Sequence, residues 1–245
     1  MLLDAPTLAA VAALALGAAV ISGMSGFGTG VILAAALVPL IGVKAVIPVM
    51  AVAGVIINAG RFWFYREHLD RRTLALVLAA SLPFLVLGTW IYSILDARAL
   101  GTLLGLAVLA FVPLRRILQS RRIALGSAGL AAGSGVFGLA TGVATGTGVI
   151  LVSLLLGTGL ATPAVLATDA LVSIVLDIAK AALFQRFDLL DLDAFYTGIV
   201  IGAASVPGSA IAAWLVARMG ARLHVVFMEG LILVGGASML WHSWR

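Results

Sequence analysis

The stretch GFGTGVIL (26–33) is echoed by GTGVIL (146–151), and both copies are surrounded by Gly, Ala and Thr. Glycine is the poorest helix former after proline, so each copy interrupts an otherwise apolar chain. Gly28 and Gly146 are 118 positions apart, and the same separation relates Gly17 to Gly135. This duplication decides the fold, because it predicts two related halves that each contain a broken helix.

The composition predicts an integral membrane protein. Of the 245 residues, 63% are hydrophobic and 10% are charged, whereas average soluble domains are about 45–50% apolar and about 25% charged. Several apolar runs reach the roughly 18 residues of a candidate spanning helix, and the alternation typical of outer-membrane strands is absent. We therefore expect an all-α polytopic protein of the inner or plasma membrane.

Several classes of function are disfavoured. The net charge of +5 comes from small basic groups between apolar runs, such as Arg71-Arg72, which are typical of charges that orient membrane helices and not of nucleic-acid binding. Cysteine is absent, the three histidines lack metal-ligand spacing, and the glycine motifs lack a P-loop lysine. We therefore expect that the protein is not an enzyme and that it binds no metal, cofactor or nucleic acid. The residues before the first apolar run include Asp4 but no Lys or Arg. That run is therefore interpreted as a membrane segment and not as a signal peptide.

Apolar runs and helix breakers divide each half into five segments. The predicted repeats are 1–118 and 119–245, within one transmembrane domain. The predicted segments are 5–22, 28–41, 45–65, 73–93, 98–117, 123–142, 147–159, 163–185, 194–216 and 222–241. The second and seventh segments are too short to cross a hydrocarbon core of roughly 30 Å, so each is interpreted as half of a hairpin.

The second half is expected to insert upside down relative to the first, because an odd number of segments precedes it. Later matches support the repeat: AASLP (79–83) aligns with AASVP (203–207), and Trp90 aligns with Trp214. The excess of Lys and Arg then predicts which side is cytoplasmic and places both termini outside the cytoplasm. The cytoplasmic group is Arg61, Arg66, Arg71, Arg72, Arg115, Arg116, Arg121, Arg122, Arg218 and Arg222, against Lys44, Arg98, Lys180, Arg186 and Arg245.

The two breaks, SGMSGFGTG (22–30) and ATGVATGTG (140–148), are candidate halves of a binding site. Irregular backbone at membrane depth persists only where protein buries it or a cavity lines it, and inverted repeats with broken helices hold substrates there. A helix that restarts at Thr29 or Thr147 offers backbone N–H groups to an oxyanion. The candidate binding residues are Ser25, Gly26, Gly28, Thr29, Gly30, Thr145, Gly146, Thr147 and Gly148, with Ser22 and Thr141 as further hydroxyl donors and Asn58 from the third segment.

Neither break contains a cation, so the sequence predicts that neutral donors hold the anion. The alternative interpretation is that the glycines are helix-packing surfaces, since Gly26 with Gly30 and Gly142 with Gly146 fit the GxxxG spacing.

Polar residues in the eighth segment form a second candidate feature. Asp169, Ser173, Asp177 and Lys180 recur at helical spacing on one face, and at a separation of 119 Asn58 and Arg61 match Asp177 and Lys180. Intramembrane ionisable groups mark pathways or proton relays, which makes Asp169 and Asp177 candidate coupling sites and Glu229 a weaker one. Two alternatives remain: Asp177 and Lys180 form a structural ion pair, or Arg61 and Lys180 extend toward the membrane surface.

The chain resembles the TauE/SafE family of sulfite exporters, also called toluene-sulfonate uptake permeases. The resemblance is carried by GMSGFGTGVILAAAL (23–37), GVFGLATGVATGTGVILVSLL (135–155), the helix ends FYREHLD (64–70) and FQRFDLLD (184–191), and the small-residue helix GAASVPGSAIAAWLVARM (202–219). It implies a secondary transporter of sulfite, sulfonates or other small organosulfur anions, built as an inverted repeat and possibly coupled to protons. A membrane scaffold without transport activity and an anion channel remain alternatives.

Overall fold

The computed structural model describes residues 5–22, 28–120 and 124–216, together with the single positions 233, 237 and 241. Within these ranges the protein consists of helices alone, so the predicted all-α fold is confirmed. The predicted tenth segment lies largely outside the described residues. The helices are α1 (Ala5–Ser22), α2 (Gly28–Ile41), α3 (Val43–Tyr65), α4 (Arg71–Ile94), α5 (Ala97–Ser120), α6 (Ser127–Val143), α7 (Gly148–Gly157), α8 (Thr162–Arg186) and α9 (Leu192–Val216), with a short 3₁₀ turn at Arg66–His68.

Three of the long helices begin directly after an aspartate that caps them. The Oδ1 atoms of Asp70, Asp96 and Asp191 accept hydrogen bonds from backbone N–H groups three residues later, each at 2.7 Å. Such a cap satisfies one of the N–H groups that the first helical turn leaves without a partner. The polar loops between apolar runs therefore fix where α4, α5 and α9 start.

The centre of the bundle is formed by α3 and α8, which pack against each other. Helix α3 also packs on α9, and α8 packs on α4, while α1 pairs with α9 and α4 pairs with α6. The short helices α2 and α7 lie against α3 and α8, respectively. At about 1.5 Å per residue, the 10 residues of α7 span about 15 Å, which is half of a bilayer core.

Glycine brings the backbones of α4 and α6 into close contact. A Cβ atom added to Gly142 would lie 2.6 Å from the carbonyl oxygen of Leu85 and 2.6 Å from the amide nitrogen of Thr89. Only glycine leaves room for this approach, which is typical of helix pairs in membranes. Gly142 thus has the packing role of the alternative interpretation, although its GxxxG partner Gly146 lies beyond the end of α6.

The outer surface of the bundle is rich in apolar side chains. Val136, Ile178 and Trp90 are 63%, 53% and 49% exposed, respectively. Two described stretches, Val43–His68 and Arg71–Ile94, are long and apolar enough to cross a membrane. Large exposed apolar side chains such as these suit a protein surrounded by lipid.

Candidate transport site

A cavity of about 100 Å³ lies among α3, α6, α7 and α8, next to the start of α2. It is bordered by the second glycine break and by the polar faces of both central helices. Its lining consists of Gly30, Met50, Gly54, Ile57, Asn58, Arg61, Phe137, Thr141, Ala144, Thr145, Gly146, Thr147, Gly148, Asp169, Ser173, Asp177 and Lys180.

This cavity brings together most of the residues that the sequence singles out. The four polar residues of the eighth segment, both polar residues of the third, the second break from Thr145 to Gly148, and Gly30 of the first break all line it. Gly28 and Thr29 belong to the first turn of α2, where the structure describes the backbone but not the Thr29 side chain. Ser25, Gly26 and Glu229 lie outside the described residues, as does the side chain of Ser22.

The two breaks meet at the edge of the cavity. A Cβ atom on Gly30, at the start of α2, would lie 2.8 Å from Oγ1 of Thr145 and 3.2 Å from the amide nitrogen of Gly146. Gly146 itself has φ +80°, a left-handed conformation that favours glycine and turns the chain from α6 into α7. The glycines therefore allow two irregular segments from different halves to touch.

Two threonine hydroxyls form a chain on the cavity wall. The Oγ1 atoms of Thr141 and Thr147 are 2.7 Å apart, and Thr141 donates to the carbonyl oxygen of Phe137 at 2.8 Å. Since a hydroxyl has one hydrogen, Thr147 is the donor to Thr141. Thr147 is also the N-cap residue of α7, without a side-chain capping bond. Its hydroxyl and the N-terminus of α7 thus lie beside the cavity.

Asp177 and Lys180 form a buried ion pair on α8. The distance from Lys180 Nζ to Asp177 Oδ1 is 3.2 Å, and the exposed fractions of the two side chains are 2% and 13%, respectively. Asn58 of α3 donates to Asp177 Oδ2 at 3.4 Å, and Lys180 also donates to the carbonyl oxygen of Thr141 at 3.4 Å. The idea that Lys180 extends to the membrane surface is wrong, because its ammonium group is held in the interior by these partners. The ion pair between Asp177 and Lys180, which the alternative interpretation predicts, is present.

A second ion pair crosses between the central helices. A guanidinium nitrogen of Arg61 on α3 contacts Oδ2 of Asp169 on α8. Asp169 is 1% exposed, and its other oxygen, Oδ1, accepts no hydrogen bond from the described residues. The cavity lining thus contains two cations and two carboxylates. Folding thus places Arg61 and Lys180 beside the neutral donors of a break that has no cation of its own.

Sequence reasoning missed the apolar residues of the lining and Gly54. Met50 and Gly54 precede Asn58 on the same face of α3, and Phe137 belongs to α6. A Cβ atom on Gly54 would collide with the carboxylate of Asp177. Helical spacing from Asn58 could have identified Met50 and Gly54, which lie eight and four residues before it.

A second cavity of about 280 Å³ borders the same break. Its lining is mainly apolar and includes Val31, Leu103, Val108, Val149 and Ile150. Both cavities share the segment from Ala144 to Thr147.

An apolar exterior around a small polar cavity defines a helical membrane protein with an internal site. Among the residues that the structure describes, no three His, Cys, Asp or Glu side chains cluster as metal ligands. The family model described as Sulfite exporter TauE/SafE matches residues 11–239. The chain therefore belongs to the TauE/SafE family of membrane transporters. No curated protein and no solved structure matches the chain.

Proposed function

We propose that this protein is a secondary transporter that carries small sulfur-containing oxyanions, of the sulfite or sulfonate type, by alternating access. The observation that carries the proposal is the cavity at the second glycine break, where a helix N-terminus, hydroxyl groups and two cations come together. The family supports a transporter of the sulfite-exporter type. The substrate and the transport cycle are inferred from the chemistry of the cavity.

The donor set suits an oxyanion. Arg61 offers several N–H donors in one plane, and Lys180 adds an ammonium group. Thr147 adds a hydroxyl at the start of α7, whose hydrogen must turn from Thr141 to the anion to donate to it. Helix N-termini favour negative charge because their first N–H groups point outward along the helix dipole. Asp169 and Asp177 reduce the positive charge of the two cations, which favours reversible binding over permanent capture.

The size of the cavity favours a compact anion. Its volume is about 100 Å³. Drug-sized ligands occupy pockets of about 300–1,000 Å³. A sulfite ion or a very small alkyl sulfonate is therefore a better candidate than a bulky aromatic sulfonate.

The helix packing is consistent with a repeat that relates α1–α4 to α6–α9, and we propose that the repeat is inverted and divides the chain into 1–118 and 119–245. If α1 to α4 are equivalent to α6 to α9, the pairing of α4 with α6 corresponds to that of α9 with α1. The packing of α3 on α9 then corresponds to that of α8 on α4. Helices α3 and α8 are equivalent to each other, and they pack against each other. Two buried serines, Ser81 and Ser205, both donate to the carbonyl oxygen four residues earlier, at Val77 and Ile201.

Alternating access requires an element that can move beside the substrate. The segment from Ala144 to Thr147 fits this role, because it borders two cavities and Gly146 gives it backbone freedom. Asp169 and Asp177 are the candidate proton-coupling residues, since both are intramembrane carboxylates in the cavity lining. Both termini are proposed to lie outside the cytoplasm.

Ligand-dependent stabilisation of the purified protein tests the proposed binding site. An anion that binds only the folded state stabilises it by about 2.7 kcal/mol at a hundred times its dissociation constant. We expect sulfite or a small sulfonate to raise the melting temperature in detergent, and an equal concentration of choline chloride to have no such effect. Absence of stabilisation by sulfite, sulfate, thiosulfate, taurine, sulfoacetate and simple carboxylates would favour a scaffold and contradict the proposal.

A further inference from the structure

The two carboxylates of the cavity differ in how their oxygen atoms are paired. Asp177 has a partner on each oxygen, Lys180 on Oδ1 and Asn58 on Oδ2. Asp169 has Arg61 on Oδ2, while its Oδ1 accepts no hydrogen bond from the described residues. A buried carboxylate oxygen without a partner is unfavourable, and in a native structure it calls for a physical reason. Asp169 is therefore the carboxylate with room for a proton.

An anion that enters the cavity competes with Asp169 for Arg61. Its guanidinium already contacts Asp169, and both residues line a cavity of about 100 Å³. An oxyanion that binds Arg61 in this space comes close to the carboxylate of Asp169, and two negative charges at short range repel each other strongly in a desolvated site. Lys180 is less available, because Asp177 and the carbonyl oxygen of Thr141 hold its ammonium group.

Among the described residues that line the cavity, only α3 and α8 contribute charged side chains. Helix α3 contributes Arg61, and α8 contributes Asp169, Asp177 and Lys180. The lining residues from α6, α7 and the break between them, such as Thr141 and Thr147, are uncharged, as is Gly30 of α2. Within the described lining, protonation of one carboxylate thus compensates the charge of one bound monovalent anion.

We propose that Asp169 is an internal counter-ion that the transported oxyanion replaces on Arg61, and that Asp169 takes up one proton in the exchange. This inference rests on the proposed transport function. The proton comes from water, and the new O–H bond forms on the carboxylate of Asp169, for which Oδ1 is unoccupied. The hydrogen bond from Arg61 to Asp169 Oδ2 is replaced by one from Arg61 to the anion. One proton then accompanies each monovalent anion.

The test is the pH dependence of anion affinity, measured by calorimetry on the purified protein. Methanesulfonate is the probe, because it is a monoanion throughout the pH range and its own charge does not change. Only the protonated form of Asp169 releases Arg61, so the apparent affinity is scaled by the protonated fraction. We expect the affinity to fall about tenfold per pH unit above the pH at which Asp169 loses its proton.

Two variants separate the roles of the carboxylates. Asp169→Asn removes the competitor for Arg61 while keeping the side-chain shape, so its methanesulfonate affinity should not change with pH. Asp177→Asn is the matched control on the same helix, and it should keep the pH dependence because the contact between Arg61 and Asp169 remains. A pH dependence in Asp169→Asn equal to that of the wild type would overturn the inference.

A measurement on the unaltered protein keeps the test independent of how the variants fold. Titration of methanesulfonate in buffers of different ionisation enthalpy counts the protons taken up with the anion. We expect about one proton per anion at a pH where Asp169 is ionised before binding. If the anion binds but no proton is taken up at any of the pH values measured, the inference is overturned and the proposed transport function stays intact. Failure to bind any of sulfite, sulfate and methanesulfonate would overturn both.

Discussion

Asn58 on α3 donates a hydrogen bond of 3.4 Å to Asp177 on α8, and the two residues are 119 positions apart, the separation that aligns these helices. Under the proposed repeat, contact between these equivalent positions would place both close to the axis that relates the two halves. The chemistry of the two positions is unequal, because α3 offers an amide and α8 a carboxylate. The carboxylate is paired in turn with Lys180, at 3.2 Å.

Removal of Lys180 should reveal how much stability its ion pair supplies. Lys180→Met leaves Asp177 buried with Asn58 as its remaining described partner, and breaking a buried pair typically costs about 3–5 kcal/mol. We expect a large fall in melting temperature for Lys180→Met. Adding Asp177→Leu should restore much of the loss, because a paired buried charge can be replaced by apolar residues. A Lys180→Met protein that melts like the wild type would show that the pair has no structural role.

Gly54 should be required for the shape of the cavity. Its absent side chain leaves the space that the Asp177 carboxylate occupies, so Gly54→Ala forces that carboxylate to move. We expect Gly54→Ala to weaken sulfite binding at least tenfold, measured by calorimetry. Gly60→Ala is the matched control on the same helix, because a Cβ atom there meets nothing within 4 Å. Equal binding by both alanine variants would exclude this role for Gly54.

The predictable part of the fold follows from helix breakers. Polar loops and glycines bound the apolar runs, and the predicted segment 28–41 coincides with α2, while 45–65 differs from α3 by two residues at its start. The sequence also identifies the polar face of α8, because its four residues recur at helical spacing. These features are local, so a single chain contains the information needed to predict them.

The pairing of residues across helices could not be predicted in this way. Contact between Arg61 and Asp169 depends on the crossing of α3 and α8, and neither residue's neighbours in sequence encode that geometry. The same is true of Gly54, whose role appears only when Asp177 packs against it. Helical spacing predicted that the polar residues of α8 share a face, but it could not distinguish the fully paired Asp177 from Asp169.

The hydroxyl of Thr147 should contribute modestly to anion binding. Thr147→Val removes the hydroxyl, which donates to Thr141 Oγ1 at 2.7 Å and turns toward the anion to bind it, while keeping the volume of the side chain. A net hydrogen bond is worth about 1 kcal/mol, which corresponds to about a fivefold loss of sulfite affinity. Thr147→Ser retains the hydroxyl and should bind nearly as well as the wild type. An unchanged affinity in Thr147→Val would exclude the hydroxyl from the site.

Asp70 should stabilise the protein in a way that depends on pH. The hydrogen bond from the backbone N–H of Thr73 is the main cause that holds the pKa of Asp70 below its ordinary value, followed by the Thr73 side chain. Because the folded-state pKa is depressed, this stabilisation is present at neutral pH and is lost as the pH falls through that pKa. Asp70→Ala should cost about 1 kcal/mol at neutral pH, with a smaller difference from the wild type in acid.

The equivalent cap on α9 provides the comparison for this measurement. Asp191 accepts a hydrogen bond of 2.7 Å from the backbone N–H of Ala194, so Asp191→Ala should lower the melting temperature by a similar amount at neutral pH. If the difference in stability between the wild type and Asp70→Ala stayed constant down to strongly acidic pH, the ionised form of Asp70 would not be the source of the stabilisation.

The most direct measurement of the central claim is sulfite flux into liposomes that contain the purified protein, with and without an imposed pH gradient. We expect saturable uptake that accelerates when the gradient drives protons in the direction of the anion, and a loss of uptake in Gly54→Ala but not in Gly60→Ala. Absence of saturable flux of both sulfite and methanesulfonate, in liposomes that contain folded protein, would contradict the claim that the cavity between α3 and α8 is a transport site.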